Sequence, residues 1–375
     1  MSENETKVMT EAELEESIYT CASCGYCRFN CPVYKVLGLE SATVRGRMLI
    51  MKKVLEGKME MTPELVNSMY MCAQCEGCHV ACPNNIDFVM ITQMLRQEMV
   101  KQGLLPESFK MVRENLETLH NPYGEPQDQR GAWLPANLRK EPKQSENLYF
   151  VGCTASYSLN RIPKSVMRIL DGTDFDYTVL GDNELCCGAP IFRMGETDLA
   201  MSMVQRNVEN IRKLGVKTIF ASCAGCYSTM KHNYPDEFEY LHITELFEKM
   251  LNEGTLEFKK PFKKRAIYFD GCDLGRHSGV YEAPRNVLKA IPGLELIEFD
   301  YNRENAMCCG GPLSSGFPDL AFEIGAKAVQ EAEEKNVDMI ITACAACLVN
   351  FKAGATKAGI RMDVQDIPMI LARVV

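Results

Sequence analysis

The sequence predicts an α+β multidomain protein, in which an N-terminal helical module precedes two pseudo-symmetric α/β domains with parallel sheets. Apolar residues recur at helical spacing through residues 43–57, 62–71 and 88–102. From residue 147 onward, strand-like and helix-like segments alternate, which is typical of parallel sheets covered by helices. The alternating half also repeats its cysteine pattern roughly 120 residues later. We therefore expect domains at 1–120, 147–260 and 261–375, with a linker at 121–146.

Composition restricts the class of protein further. The chain has 375 residues, 46% of them apolar, and a net charge of −9. This balance indicates a globular protein and argues against nucleic-acid binding through phosphate contacts. Residues 1–20 are acidic, unlike a signal peptide, and no apolar stretch is long enough to cross a membrane. We expect a cytoplasmic protein that reaches a membrane only as a peripheral component, through a partner subunit.

The helical module and the linker have local signals. Thr62 and Pro63 are a typical N-cap and first-turn pair for the helix at 62–71. Residues 121–146 hold four Pro and two Gly with little apolar periodicity, which favours a linker. Trp133, the single Trp, is expected to pack this linker onto a domain.

The alternating half divides into two similar series of elements. The first series has predicted strands at 147–151, 176–180 and 218–221, and predicted helices at 162–170 and 199–214. Residues 240–250 begin extended and become helical. The second series has predicted strands at 265–269, 294–299 and 337–342, and predicted helices at 281–291 and 320–335.

Eight cysteines in the helical module form two copies of one motif. Each copy reads Cys-x2-Cys-x2-Cys-x3-Cys-Pro, starting at Cys21 and at Cys72. This is the spacing of the bacterial two-cluster ferredoxins, in which the fourth cysteine ligates the other cluster. The expected ligand sets of two cubane [4Fe–4S] clusters are therefore Cys21, Cys24, Cys27 and Cys82, and Cys72, Cys75, Cys78 and Cys31. A zinc site is the alternative, but zinc needs only four thiolates at looser spacing.

Ten further cysteines form a second repeated pattern, with an adjacent Cys-Cys-Gly at its centre. Each group follows a predicted strand, so the carboxyl ends of the parallel strands should bring five thiols to one rim of each domain. Five thiols are more than the four that a zinc ion or a cubane cluster needs. Zinc binding and simple core packing remain alternatives that the repeated register disfavours. The two sets are Cys153, Cys186, Cys187, Cys223 and Cys226, and Cys272, Cys308, Cys309, Cys344 and Cys347.

This paired pattern resembles the CCG, or cysteine-rich, domains of the heterodisulfide reductase family. The order of a two-cluster ferredoxin followed by two CCG domains also resembles the iron–sulfur subunits of glycolate oxidase, lactate-utilisation and anaerobic glycerol-3-phosphate dehydrogenase systems. The resemblance implies one noncubane [4Fe–4S] cluster for each five-cysteine set. Both motifs are complete, which favours the heterodisulfide branch. The family's common Cys-His-Leu-Gly-Arg run reads Cys272-Asp273-Leu274-Gly275-Arg276 here, which puts a negative charge beside a cluster ligand.

The resemblance also implies a function. The chain would be a catalytic subunit that reduces a disulfide, such as CoM-S-S-CoB, to two thiols at the two noncubane clusters, fed by the two cubane clusters. The alternative is an electron-transfer subunit of a flavin-dependent 2-hydroxy-acid or glycerol-3-phosphate dehydrogenase. Expected partners are other redox subunits, either a flavoprotein or a membrane cytochrome b, and a small-molecule disulfide or thiol.

Several residues near these motifs are candidates for substrate or cofactor contacts. Arg193, Arg276 and Arg285 are candidates to hold an anionic group on the substrate. His277 is a candidate proton donor. Surface or capping roles are the alternative for these residues. Three glycines, Gly188, Gly310 and Gly311, are expected to let the backbone approach a cluster, with simple tight turns as the alternative. His232 and His242 are expected to serve the fold, whereas His79 either tunes a cluster or faces solvent.

Overall fold

A computed structural model describes residues 11–140 and 142–375. The acidic stretch 1–20 therefore lies partly outside the described residues. The helical module is present as expected, and its three predicted helices correspond to α3, α4 and α6. Its helices are α1 (Glu11–Thr20), α2 (Pro32–Leu37), α3 (Val44–Leu55), α4 (Pro63–Tyr70), α5 (Gly77–Val80), α6 (Phe88–Lys101) and α7 (Glu107–Leu119).

Side-chain caps explain where three of these helices begin. Thr43 Oγ1 accepts a hydrogen bond from Gly46 N at 3.0 Å at the start of α3. Thr62 caps α4, as the sequence predicts, and Asp87 Oδ1 accepts from Met90 N at 3.0 Å at the start of α6. Each cap satisfies a backbone donor that the first helical turn leaves without an intrahelical partner.

The predicted linker is packed onto the first α/β domain. It contains the short helix α8 (Ala136–Lys140). Gln127 Nε2 donates to the carbonyl oxygens of Asp182 at 2.9 Å and Glu184 at 2.7 Å. Trp133 is half-buried against the core, as expected. These contacts make residues 121–146 part of the first α/β domain rather than a free connection.

The first α/β domain is built on a three-stranded parallel sheet with the order β1-β2-β3. The predicted strand at 176–180 is wrong as a regular strand, because only Thr178 pairs with the sheet, in a single bridge to Leu148. The chain turns away immediately afterwards at Gly181, which has a positive φ of 57°. The elements are β1 (Asn147–Phe150), α9 (Cys153–Tyr157), α10 (Arg161–Leu170), α11 (Ala189–Met194), α12 (Thr197–Arg212), β2 (Thr218–Ala221), α13 (Ala224–Asn233), β3 (Glu239–His242) and α14 (Ile243–Asn252).

The second α/β domain has a four-stranded parallel sheet with the order β5-β4-β6-β7. Strand β5 pairs with β4 along its length, whereas the corresponding segment of the first domain makes only a single bridge to β1. The elements are β4 (Lys264–Phe269), α15 (Glu282–Lys289), β5 (Leu294–Glu298), α16 (Pro318–Glu334), β6 (Met339–Thr342), α17 (Ala345–Ala358), β7 (Asp363–Asp366) and α18 (Ile367–Val374).

The two α/β domains share one apolar core. Helix α10 packs on α18, and α14 packs on α15, so each domain covers the other. Within the second domain, the backbones of helices α16 and α17 come close to each other at Gly325 and Gly354. A Cβ added to Gly354 would lie 2.6 Å from Ala326 N, so only glycine permits this spacing. None of the described helices is both long and apolar enough to span a bilayer.

Candidate functional site

The cysteines of the helical module line two small cavities. The fourth cysteine of each motif lies with the first three cysteines of the other motif. Cys78 contributes to both cavities. The first cavity, of about 30 Å³, is lined by Cys21, Cys24, Cys27, Cys78 and Cys82. The second, of about 20 Å³, is lined by Cys31, Cys72, Cys75 and Cys78.

A buried arginine that sequence reasoning missed holds the second cysteine loop. Arg96 Nη2 donates to the carbonyl oxygens of Tyr70 at 3.0 Å and Cys72 at 2.9 Å, and its Nη1 donates to the carbonyl oxygen of Arg193. It therefore ties the helical module to the first α/β domain. Its position within an amphipathic helix gave no signal of this role. His79 Nδ1 lies 3.1 Å from Ile86 O, a contact within the module.

The ten cysteines of the α/β domains are all buried, and each set of five lies together at the carboxyl ends of its strands. In the first domain, the thiol of Cys153 interacts with that of Cys186, and the thiol of Cys187 with that of Cys226. In the second domain, the thiol of Cys272 interacts with that of Cys308, and the thiol of Cys309 with that of Cys347. The two sets meet where Cys223 contacts Cys344.

A cavity of about 340 Å³, here called the inner cavity, lies between the two sets. Cysteines from both domains line it, together with apolar and aromatic side chains that include Tyr70, Phe109 and Tyr123. The sequence predicts two cysteine-lined rims, but the shared cavity depends on how the two domains face each other.

A buried ion pair supports the first cysteine set. Arg130 and Glu184 have side chains only 1% and 2% exposed, and Arg130 Nη1 lies 3.4 Å from Cys153 Sγ. Burial disfavours the charged guanidinium, but the charges of Cys153 and Glu184 more than offset this and raise the pKa of Arg130. Glu184 also accepts hydrogen bonds from the N–H groups of Val151 and Gly152, each at 2.8 Å. Sequence reasoning missed Arg130 because it lies in the Pro-rich segment.

The helical module meets the second α/β domain beside two cysteines. The Cys75 thiol contacts the Cys308 thiol. Arg276 Nε donates to Cys75 O at 2.5 Å, and His277 Nε2 lies 2.8 Å from Gln74 O. Neither Arg276 nor His277 lines the inner cavity. Both side chains instead bind the loop of the helical module, and His277 lines a separate groove outside this cavity. Their predicted contacts with a substrate or cofactor stay a prediction.

The other predicted arginines have different positions. Arg193 lines the inner cavity, where its Nη2 donates to Asp273 Oδ1 at 2.5 Å. Arg285 is fully buried and bonds to Asp270 and Glu298, so the expectation that it holds a substrate anion is wrong.

The predicted glycines form turns beside the cysteines. Gly188 and Gly310 have φ values of 98° and 89°. Gly310 N donates to Cys308 Sγ at 3.4 Å, and Gly311 N donates to Cys309 Sγ at 3.3 Å. A Cβ on Gly188 would instead lie 3.0 Å from Phe192, so this glycine permits a close packing contact.

The two histidines assigned to the fold make backbone contacts. His232 Nδ1 lies 2.7 Å from Ser228 O within its own helix. His242 Nε2 lies 3.1 Å from Ala343 O, which joins the two α/β domains.

The donor set fits iron–sulfur clusters. Thiolates are the ligands that such clusters use, and the cysteines occur in separate groups of four or five. The backbone also passes close to the sulfurs, since a Cβ on Gly152 would lie 2.8 Å from Cys226 Sγ. Across residues 11–140 and 142–375, no three His, Cys, Asp or Glu side chains converge on a point that would hold a single ion.

Comparison with known proteins agrees with this division of the chain. Residues 17–86 match the 4Fe-4S dicluster domain, and residues 147–231 and 266–352 match the cysteine-rich domain called CCG. A hypothetical protein from Helicobacter pylori has a similar fold, with a TM-score of 0.57 and 12% identity, over 88% of this chain and 66% of that one.

Two curated relatives match most of the chain. The EtfAB:quinone oxidoreductase of Syntrophomonas wolfei is 30% identical over 90% of this chain and 55% of its own length. The D-type subunit of the dihydromethanophenazine:CoB–CoM heterodisulfide reductase of Methanosarcina barkeri is 32% identical over 98% of this chain and 96% of its own length. The chain thus belongs to the D-type family of heterodisulfide reductase iron–sulfur proteins, with a ferredoxin domain followed by two CCG domains.

Proposed function

We propose that this chain is a catalytic subunit that reduces a small-molecule disulfide to two thiols in the inner cavity. The observation that carries the proposal is that cysteines of both CCG domains line one cavity. A disulfide placed there has a thiolate set on either side. The S–S bond breaks as two electrons and two protons are taken up, and two thiols leave.

We assign a cubane cluster to each of the two ferredoxin ligand sets and a noncubane cluster to each CCG set. When bound, these clusters supply the electrons that the disulfide requires. The two small cavities support these cubane ligand sets, because Cys82 lies with the first three cysteines of the first motif and Cys31 with those of the second. The five buried thiols at each rim support a cluster with more than four cysteine ligands.

The contacts between cysteines support electron delivery from the ferredoxin domain to the CCG sets. Cys75 of the ferredoxin domain touches Cys308 of the second CCG domain. Cys344 of that domain touches Cys223 of the first. The second CCG set therefore adjoins the ferredoxin domain through Cys75, and the two CCG sets adjoin each other. Cys72 of the ferredoxin domain also lines the inner cavity.

An electron-transfer subunit remains the second candidate, and the EtfAB:quinone oxidoreductase relative favours it. In that function the chain would pass electrons between a flavoprotein and a quinone without releasing thiols. Both functions use the same ferredoxin domain, so only the products separate them.

The test is anaerobic disulfide reduction by the cluster-containing protein with a reduced viologen as electron donor. Released thiols are measured with a chromogenic thiol reagent. We expect two thiols for every two electrons, and a loss of this activity in Cys187→Ser and Cys309→Ser. Viologen oxidation by a quinone analogue, with no thiol release from any disulfide tested, would contradict the proposal and favour electron transfer.

A further inference from the structure

A large groove lies outside the inner cavity, between the ferredoxin domain and the first CCG domain. Its volume is about 1100 Å³. One wall comes from α6 and the loop before it, including Gln93, and the opposite wall comes from α12 and α13, including Met201 and Lys231. We call it the outer groove. It is open to solvent on one side, whereas the ten cysteines of the inner cavity are buried.

The outer groove and the inner cavity share three lining residues. These are Ala189, Arg193 and Asp273. Arg193 and Asp273 form the ion pair described above, with side chains 23% and 9% exposed. This ion pair therefore stands between the solvent-open groove and the cysteine-lined cavity.

Each partner of the pair reaches across the interface between the two CCG domains. Arg193 follows the Cys-Cys-Gly turn of the first domain, and its guanidinium interacts with the charges of Cys272 and Cys308 in the second. Asp273 belongs to the second domain and lies beside Gly225 of the first. If Gly225 carried a Cβ, that atom would lie 3.3 Å from Asp273 Oδ2. Gly225 thus leaves the space that the carboxylate fills.

The repeat provides no second copy of this pair. The position equivalent to Asp273 in the first domain is Thr154, and the position equivalent to Arg193 in the second domain is Ser315. The residue equivalent to Gly225 is Ala346, which carries a methyl group where Gly225 has none. The charged pair is thus a feature of one side of the pseudo-symmetric cavity.

We propose that the outer groove is the entrance to the inner cavity and that Arg193 binds an anionic group, such as a carboxylate, on the entering thiol or disulfide. The anion replaces Asp273 as the partner of the Arg193 guanidinium, whose planar donors suit a carboxylate. Asp273 Oδ1 already lies 3.9 Å from His277 Nε2, so the released carboxylate has a second polar neighbour. This inference rests on the proposed function in that the ligand is a thiol or disulfide.

The test compares three small thiols that differ in charge, namely 3-mercaptopropionate, 2-mercaptoethanol and cysteamine. Binding to the oxidised, cluster-containing protein is followed by anaerobic EPR, and iron content is checked for each variant. In Asp273→Asn, we expect the affinity for 3-mercaptopropionate to rise about tenfold relative to 2-mercaptoethanol, because Arg193 no longer has a carboxylate as its counter-charge. In Arg193→Gln, we expect it to fall about tenfold relative to 2-mercaptoethanol.

Two further variants complete the design. Ser315→Ala changes the equivalent position on the other side of the inner cavity and should alter no affinity by more than about twofold. Gln93→Trp narrows the outer groove and should slow the binding of all three thiols by at least about threefold while keeping their order. If Arg193→Gln loses iron, Arg193→Lys replaces it, with a smaller loss of anion affinity expected because the charge remains.

The outcomes separate this inference from the proposed function. A charge-dependent change of thiol affinity without catalytic thiol release supports the inference and contradicts the proposed function. Catalytic thiol release with the same charge preference in all variants supports the proposed function and overturns the inference. An EPR spectrum that responds to none of the three thiols in the wild-type protein also overturns the inference.

Discussion

Glu184 is predicted to be the side chain whose removal most disturbs the first CCG set. Its carboxylate bonds to Arg130 Nη2 at 2.5 Å and accepts the N–H groups of Val151 and Gly152 at 2.8 Å. Those two N–H groups belong to the turn that leads directly into Cys153. Glu184→Ala therefore leaves a buried guanidinium without its carboxylate partner and two buried donors without their acceptor.

The expected cost follows from these contacts. Removing one partner of a buried ion pair costs about 3–5 kcal/mol, and each unsatisfied buried donor costs about 1–3 kcal/mol. Because such contributions are not additive, we expect Glu184→Ala to lower the free energy of unfolding by at least about 4 kcal/mol. Glu184→Gln keeps a hydrogen-bond acceptor and loses the charge, so its cost should be smaller.

The assay is anaerobic urea unfolding followed by far-UV circular dichroism. Glu146→Ala is the matched control, because it breaks an ion pair with Lys217 whose side chains are 67% and 71% exposed. We expect the control to change the free energy of unfolding by less than about 1 kcal/mol. A Glu184→Ala variant no less stable than the Glu146→Ala control would refute the reasoning.

Three other predictions concern the cluster ligands, a buried histidine and a helix contact. Iron counting tests the crossed ligand sets, because Cys82→Ser should lose about four iron atoms per chain. The double variant Cys82→Ser/Cys24→Ser should lose no more, whereas Cys82→Ser/Cys75→Ser should lose about four more. Equal iron losses in the two double variants would contradict the crossing. Burial lowers the pKa of His242 to about 4, so the unfolded chain binds a proton that the folded chain does not. The free energy of unfolding should therefore fall by about 2 kcal/mol between pH 7 and pH 5 in denaturant titrations; His242→Gln should remove this contribution, and an unchanged pH dependence would contradict it. Gly354→Ala should lower the free energy of unfolding by about 1–3 kcal/mol, because the added methyl overlaps the backbone of α16; a stability equal to that of the wild-type protein would show that the two helices separate without cost.

Local patterns in the sequence predict most of the fold. The helix-capping residues Thr62 and Pro63 begin α4 as expected. The alternation of strands and helices gives two parallel sheets. The strand expected at 176–180 is the exception, because an apolar alternation is a local pattern whereas a strand also needs a neighbouring strand to pair with. In this segment only Thr178 pairs, with Leu148.

The cysteine groups are predicted from spacing, but their surroundings are not. Arg130 lies 23 positions before Cys153 in a Pro-rich segment, and nothing local marks it as a neighbour of that cysteine. Arg276 and His277 follow a cysteine closely in sequence, yet they bind carbonyl groups about 200 residues away. Contacts between residues far apart in the chain decide these positions, and one sequence contains no periodic signal for them.

The most direct test of disulfide chemistry in the inner cavity is anaerobic EPR of the oxidised protein titrated with thiols, together with an iron count on the same sample. We expect about 16 iron atoms per chain, from four clusters of four, and a paramagnetic signal that appears on thiol addition. About 8 iron atoms and no response to thiol would contradict cluster-bound disulfide reduction by this chain.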